Sequence, residues 1–389
     1  MNKKRDIPSI IRIGVFLVIA LTGYGCAGTS GVQPSTKLSE SQNISQPEPT
    51  FSVFLIGDAG AASLNPRDPA LQTLKSQLDK SGKQSAVIFL GDNIYPSGLP
   101  AKEVRARKRA ERRLKAQLKT VKDYSGRIVF IPGNHDWHSS KRKGLQRILR
   151  QERYIENYLE RGNTFLPDSG YPGPASVSLN AAIRNPAMDF NIQLVVLDTQ
   201  WWLHPQEKPL SQGITSVKQQ KEKILADVNK IIRRHKDDEV IVAAHHPLFS
   251  YGRHGGKFPA TTHLLPPVLG SMYVAYRNIW GYHQDVANYG DLKDGLMESF
   301  KEKDELIYAS GHEHSLQFIP HQSDSTQQYY LVSGSGSRSS YVKKQRGQSF
   351  THRGKGFIAV RYFEDQSKRI EVWSAEGNLM FHKTIKAAE

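Results

Sequence analysis

Asp92 lies in the stretch Gly91-Asp92-Asn93-Ile94-Tyr95, directly after the apolar run of residues 86–90, so a carboxylate stands where a buried strand stops. The same arrangement recurs. Residues 51–56 run into Gly57-Asp58-Ala59-Gly60, and residues 128–131 into Pro132-Gly133-Asn134-His135-Asp136. Residues 240–244 run into His245-His246-Pro247, and Leu306-Ile307-Tyr308-Ala309 delivers Gly311-His312-Glu313-His314. One aspartate after a glycine at a strand end is ordinarily a turn residue. Five such stretches in one chain, offering carboxylate, amide and imidazole donors, point instead to a pair of hard metal ions with rigidly held oxygen and nitrogen ligands. On this reading Asp92 bridges the two ions. Glycines beside the donors let the chain turn sharply. His312 and His314, two apart, face the same way in an extended segment, which suits one imidazole for each metal.

Donors of this kind must be carried by elements that end together. After residue 51 helix and strand signals alternate, which predicts a sheet core flanked by helices. Asp68-Pro69 caps a helix carrying Leu71, Leu74 and Leu78, which stops at Ser81-Gly82. A helix over residues 101–121 has a narrow apolar stripe of Val104, Leu114, Leu118 and Val121; Arg105, Arg107, Lys108, Arg109, Arg112 and Arg113 fill the rest. Gly144 opens another helix, residues 192–198 read as a buried strand, and residues 215–235 as an amphipathic helix. Residues 250–304, rich in Gly, Pro and aromatics, show no long periodic segment; leaving from the His245 motif and returning before His312, they should rim the site. Strands over 329–332, 357–362, 369–373 and 379–384 should complete a second sheet.

The 389 residues are 38% hydrophobic and 23% charged, the balance of a soluble globular chain with a large core. Because the motifs reach from Asp58 to His314, one domain, residues 51–389, must hold them all. Lys3, Lys4 and Arg5 followed by the apolar residues 13–21 make a targeting leader over residues 1–26, with an apolar run too short to span a bilayer comfortably. Gly23-Tyr24-Gly25-Cys26-Ala27-Gly28 resembles a bacterial lipobox, with Gly23 where an aliphatic residue is usual. The expectation is an exported lipoprotein held to a membrane through lipid on Cys26, facing the periplasm or the cell surface, with plain secretion as the rival. Residues 27–50, poor in apolar side chains, read as a flexible linker. Net charge is +16, and residues 101–160 hold 17 Lys or Arg against 7 Asp or Glu. A solvated helix face is the commoner meaning of such a run. The functional meaning is a positive field that draws phosphorylated substrates or acidic lipid. The basic residues are not interleaved with aromatics as a nucleic-acid stacking groove requires, so nucleic acid is not the expected partner.

Taken together, the five motifs resemble those of the calcineurin-like metallophosphoesterases. More narrowly, Tyr95, three residues after Asp92, and the run 311–317 resemble the purple acid phosphatases of the small, tartrate-resistant type. The resemblance implies an α/β fold of two packed mixed β-sheets flanked by helices, an αββα sandwich. It implies a first metal held by Asp58, Asp92, Tyr95 and His314, and a second by Asp92, Asn134, His245 and His312. A phenolate such as Tyr95 favours Fe3+, leaving Fe2+, Zn2+ or Mn2+ for the other position. The implied reaction is hydrolysis of phosphate monoesters, on a small molecule or a phosphoprotein, by attack of a metal-bound hydroxide. His135 or His254 would protonate the leaving group. His246 then reads as a packed neighbour of the ligands; His138, His204 and His283 as surface or core; Trp201 and Trp202 as core or rim. Ser333-Gly334-Ser335-Gly336-Ser337 lacks the Gly-Lys-Ser/Thr ending of a nucleotide loop and reads as a close backbone approach to the metals. Two alternatives stand beside this: a phosphodiesterase or nucleotide pyrophosphatase on the same site, and a basic nucleic-acid- or lipid-binding surface protein whose metals are structural.

Overall fold

Apolar runs without polar alternation make strands buried on both faces, and β1 (Phe51–Ile56) and β2 (Ser85–Phe89) are buried at every residue. Successive side chains point to opposite faces. Phe51, Val53, Leu55, Ala86 and Ile88 enter one apolar cluster, while Phe54, Ile56, Val87 and Phe89 enter another. The computed structural model describes residues 47–181, 190–205, 208–253, 286–323 and 326–387. The leader with Cys26, most of the linker, His254 and His283 lie outside the described residues.

Between β1 and β2 lies α1 (Pro69–Ser81), started by Asp68, whose carboxylate accepts from the Ala70 N–H, and by Pro69 at its first position. Then come α2 (Arg107–Val121), β3 (Arg127–Phe130), α3 (Gly144–Leu159), β4 (Ala175–Ser178) and β5 (Ile192–Leu197). The chain continues through α4 (Thr199–Leu203), α5 (Val217–Arg234), β6 (Glu239–Ala244), α6 (Val286–Phe300) and β7 (Glu305–Ser310). It closes with β8 (Leu316–Ser323), β9 (Thr326–Ser333), β10 (Phe350–His352), β11 (Gly356–Tyr362), β12 (Lys368–Ser374) and β13 (Leu379–Ile385).

These strands form two mixed sheets, ordered β13-β12-β11-β1-β2-β3 and β10-β8-β9-β7-β6-β5-β4. In the first, β1, β2 and β3 run parallel; in the second, β5, β6, β7 and β9 do. One apolar cluster joins both sheets, with Val53, Ile88 and Val129 from the first and Leu194, Ile241 and Ile307 from the second. The outer faces are covered by helices: Leu71, Leu74, Leu114 and Leu118 share an apolar cluster with Phe54, Ile56 and Val87 of the first sheet, and Ile224, Val228, Leu292 and Leu296 join the same cluster with Val195, Leu197 and Val242 of the second. Each fully buried Leu, Ile or Val contributes about 1.5–3 kcal/mol. The expected sandwich of two mixed sheets flanked by helices is what forms.

Three local expectations need correction. The late strands do not all complete the second sheet: β9 does, pairing with β7, while β11 pairs antiparallel with β1 and extends the first sheet through β12 and β13. The basic helix begins at Arg107 rather than at residue 101, because residues 101–107 make short turns, Val104 N–H to Ala101 O and Arg107 N–H to Val104 O. Val104, expected in the apolar stripe, is 46% exposed. Finally, the region 250–304 does contain a helix, α6, whose Leu292, Leu296 and Phe300 are buried at four-residue spacing. Gly290 and Gly295 hide it, since glycine disfavours helices. At Gly295 a Cβ would meet Leu225 Cδ1 of α5 at 2.5 Å, so the glycine marks a close helix approach.

Candidate metal centre

Loops leave the carboxyl ends of β1, β2, β3, β6 and β7 and meet at one edge of the sheets, the place where parallel α/β strands leave room for ligands. Asp58, Asp92 and His312 have left-handed backbone, with φ of 58°, 53° and 69°. That conformation costs a non-glycine residue about 1–3 kcal/mol and clusters at functional sites. The β2 and β3 loops touch because residue 133 is glycine: a Cβ there would lie 2.3 Å from the Asp92 nitrogen and 2.4 Å from Asp92 Oδ1.

The donors fall into two groups. In the first, the Tyr95 hydroxyl donates to Asp58 Oδ1 at 2.6 Å and lies 2.9 Å from His314 Nε2, itself 3.3 Å from Asp58 Oδ1. Asp58 Oδ2 accepts the His312 backbone N–H at 2.7 Å. In the second, His245 Nε2 and His312 Nδ1 lie 3.1 and 3.2 Å from Asn134 Oδ1 and 3.3 Å from each other. Asp92 faces both groups. Its Oδ1 is 3.5 Å from His245 Nε2 and accepts the His135 N–H at 2.8 Å, and ligand atoms of Asp58, Asp92 and His245 all lie within 4.8 Å of one another. All seven expected metal-ligating residues, Asp58, Asp92, Tyr95, Asn134, His245, His312 and His314, are thus brought together.

The donor chemistry fits a metal ion. His245 Nδ1 gives its hydrogen to the Leu90 carbonyl at 2.8 Å, since a carbonyl can only accept. In the neutral ring Nε2 then presents a lone pair towards Asn134 Oδ1 3.1 Å away, two donor atoms that a metal ion between them would satisfy. The carboxylates act strongly on both imidazoles. Burial pushes His245 and His314 down, but the carboxylates of Asp92 and Asp58 outweigh it and hold both above their usual value. Asp58 is raised by burial and lowered more by its bond and charge contact with His314, so it stays below the usual carboxylate value. Burial, then Asp58 and Asp92, push the Tyr95 phenol well up, which is why it donates to Asp58 here.

Several residues that position the donors were not assigned a role from sequence. Asp136, fully buried, accepts from the N–H groups of Gly133 (2.9 Å), Asn93 (3.1 Å) and Ile94 (3.1 Å) and from Asn93 Nδ2 (3.2 Å), locking the two loops together. Burial and the Asp92 charge raise it to about 7 against the pull of those donors. Gln117, buried on α2, donates to the Asn93 carbonyl at 2.7 Å, and Arg113 donates to the Tyr95 carbonyl at 2.6 Å, so the basic helix props the Asp92 loop. A polar residue next to the apolar positions 114, 118 and 121 was the available signal. The Ser333–Ser337 segment clamps the Asp58 loop as a close backbone approach: Gly57 N–H bonds the Ser333 carbonyl at 2.7 Å, Gly336 N–H the Gly57 carbonyl at 2.9 Å, and Ser337 Oγ the Asp58 carbonyl.

The other candidates sort as follows. His135 has a partly exposed ring, with Nδ1 on the Pro96 carbonyl at 2.5 Å and Nε2 3.8 Å from Asp92 Oδ2. His246 is closer to the donors than a bystander: its nitrogen and those of His245 and His312 lie within 4.8 Å of one another, while Nδ1 meets Thr199 Oγ at 2.8 Å. The start of the 250–304 region packs beside the last motif, with Ser250 Oγ on Glu313 Oε1 at 3.0 Å and Tyr251 N–H on Gln317 Oε1 at 2.9 Å; residues 254–285 lie outside the described residues. His138 bonds the Arg142 carbonyl, His204 packs on Trp137, and Trp201 and Trp202 are buried in the core, all apart from the donor groups. His254 lies outside the described residues.

A two-sheet sandwich with acid, amide and imidazole donors converging from the strand ends defines a class of metal-dependent phosphoesterases. The calcineurin-like phosphoesterase family matches residues 51–316, and the chain belongs to that family. No curated protein matches it. Among solved structures it is similar to GAP50, the anchor in the inner membrane complex of Plasmodium, at 15% identity and a TM-score of 0.53 over 88% of this chain and 90% of that one. It is also similar to a purple acid phosphatase from yellow lupin (Lupinus luteus) seeds, at 16% identity and a TM-score of 0.49, covering 88% of this chain and 55% of that one. For the NAD nucleotidase of Haemophilus influenzae the values are 10% and 0.37, covering 87% and 54%. The chain thus spans about half the length of the latter two, and at these identities the likeness to GAP50 bears on the fold alone.

Proposed function

We propose that the chain hydrolyses phosphate monoesters at a dinuclear centre of the purple acid phosphatase type. The observation that carries this is the meeting of Asp58, Tyr95 and His314 on one side of Asp92 with Asn134, His245 and His312 on the other. Asp58, Asp92, Tyr95 and His314 would hold the first ion, which the hard phenolate donor suits to be Fe3+; Asp92, Asn134, His245 and His312 would hold Fe2+, Zn2+ or Mn2+. When bound, such a pair supplies Lewis acidity at the phosphate oxygens and lowers the pKa of water from ~15.7 towards ~7.

The chain's own groups do the rest. Asp136 and Gln117 keep the Asp92 and Asn134 loops in register. His135, its Nδ1–H given to the Pro96 carbonyl, can hold a proton on Nε2 at the partly exposed mouth and pass it to the leaving alkoxide. His254 is the second proposed donor. The substrate would be a phosphorylated small molecule or phosphoprotein met outside the cytoplasm, with the protein tethered through lipid on Cys26. Cys26→Ser should release it from the membrane fraction; unchanged fractionation would remove the tether from the proposal.

Metal analysis of the purified protein with a monoester assay tests the centre. Two metals per chain are expected, and Asp92→Asn should lose metal and turnover together. Hydrolysis that survives metal loss in that variant would end the catalytic reading.

A further inference from the structure

Beside the metal donors two guanidiniums meet at Tyr95. Arg338, exposed, follows the Ser333–Ser337 segment and lays its guanidinium over the Tyr95 ring, 4.2 Å from the centroid. Arg113 of α2 donates to the Tyr95 carbonyl at 2.6 Å. Among the described residues neither forms an ion pair, whereas Arg107 on the same helix is matched by Glu111 at 2.7 Å.

Like charges assembled without a counter-charge repel, and a bound anion relieves that repulsion. Guanidinium forks suit phosphate because two parallel N–H groups meet two oxygens. Arg113 spends one donor on the Tyr95 carbonyl and keeps others; Arg338, resting on an aromatic face, can leave it at small cost, since an exposed cation–π contact is worth about 0.5–1 kcal/mol. Tyr95 links the two places. Its hydroxyl stands among the metal donors while its ring carries Arg338, so one aromatic ring separates the centre from Arg338.

We propose that Arg338 and Arg113 form an anion subsite for a second phosphoryl group, so that preferred substrates carry two phosphates, one at the metals and one at the arginines. The inference rests on the phosphoester-hydrolase reading of the centre. It also gives the basic helix a defined use, since Arg113 is held against Tyr95.

The test compares fructose 1,6-bisphosphate with fructose 6-phosphate on the metal-loaded full chain. The wild type should favour the bisphosphate by about tenfold in kcat/KM, mostly through KM, equivalent to about 1.4 kcal/mol. Arg338→Gln should reduce the preference to below about threefold, and Arg338→Lys should keep part of it, a point charge replacing a fork. A wild type without preference, or an undiminished preference in Arg338→Gln, would overturn the subsite. Metal content is measured alongside: a variant that loses metal with both turnovers would make Arg338 a cover for Tyr95 instead. If neither sugar is turned over, calorimetric binding of pyrophosphate and phosphate decides separately. Pyrophosphate binding about tenfold tighter to the wild type but not to Arg338→Gln would support the subsite even as the hydrolase reading failed; equal affinities would reject it.

Discussion

Replacing Gly133 by alanine adds one methyl group at the point where two ligand loops touch. The new Cβ would lie 2.3 Å from the Asp92 nitrogen, 2.4 Å from Asp92 Oδ1 and 3.0 Å from His245 Cε1. Ordinary contacts between such atoms begin near ~3.4 Å, so the Asp92 carboxylate must move by about 1 Å. Neither neighbour yields easily, because Asp92 already has φ 53° and its Oδ1 accepts the His135 N–H at 2.8 Å. A displacement of about 1 Å at a catalytic group lowers rate on the order of 100-fold. The packing strain itself is about 1–3 kcal/mol, or a fall in Tm of about 2–4 °C for each kcal/mol in a large domain. The assay is kcat/KM for an aryl phosphate at saturating metal, with metal per chain and a melting curve. Gly162→Ala is the control, since a Cβ there meets nothing within 4 Å. The expected result is about 100-fold lower kcat/KM and reduced metal occupancy in a chain that still melts cooperatively. A Gly133→Ala protein with full metal content and kcat/KM within about threefold of the wild type would refute the placing of Asp92 at the centre.

Tyr95→Phe should abolish a visible charge-transfer band in the iron-loaded protein while the fold is retained; a band that persists would remove Tyr95 from the ferric site. Gln117→Leu leaves the buried Asn93 carbonyl without its 2.7 Å donor, so it should cost about 1–3 kcal/mol in urea unfolding and lower metal affinity as well. Loss of stability with unchanged affinity would mean that α2 does not position the loop. Burial, helped by Lys208, pushes His204 down to about 4 from an unfolded value near 6.5. The unfolded chain therefore binds the proton first as pH falls, and the stability present at pH 7 is lost between 6.5 and 4, by on the order of 2–3 kcal/mol. His204→Gln should remove that slope, so its stability deficit against the wild type should shrink from pH 7 to pH 4.5; a constant deficit would contradict the assignment.

Much of the centre was legible because its code is local. An apolar run of four to six residues followed by a turn and a donor marks a strand and what its end carries, and β1, β2, β3, β6 and β7 all announce themselves that way. His246, read as a packed neighbour of the ligands, lies beside them, but a doublet shows only which residues adjoin, not that its nitrogen comes within 4.8 Å of one of His312. The segment that became α6 was missed because two glycines outweigh three apolar residues in any local reading, and only Leu225 on the facing helix explains Gly295.

By its own pattern the chain determined the donor types, their attachment to strand ends, and a sheet core flanked by helices, since periodicity and turn chemistry act over a few residues; the αββα class was what the resemblance of its motifs implied. Tertiary structure alone decided the rest. Alternating strands carry no label for their partner, so that β11 would lie against β1, with Phe51 opposite Tyr362, could only come from closing the sheet. An aspartate in a turn looks solvated until folding surrounds it, as Asp136 is, with the N–H groups of two loops. Arginines on a helix and after a serine-rich loop look like ordinary surface charge. Bringing Arg113 and Arg338 together at Tyr95 takes contacts between segments more than 200 residues apart, and such contacts are set by how the sheets pack rather than by any stretch of sequence.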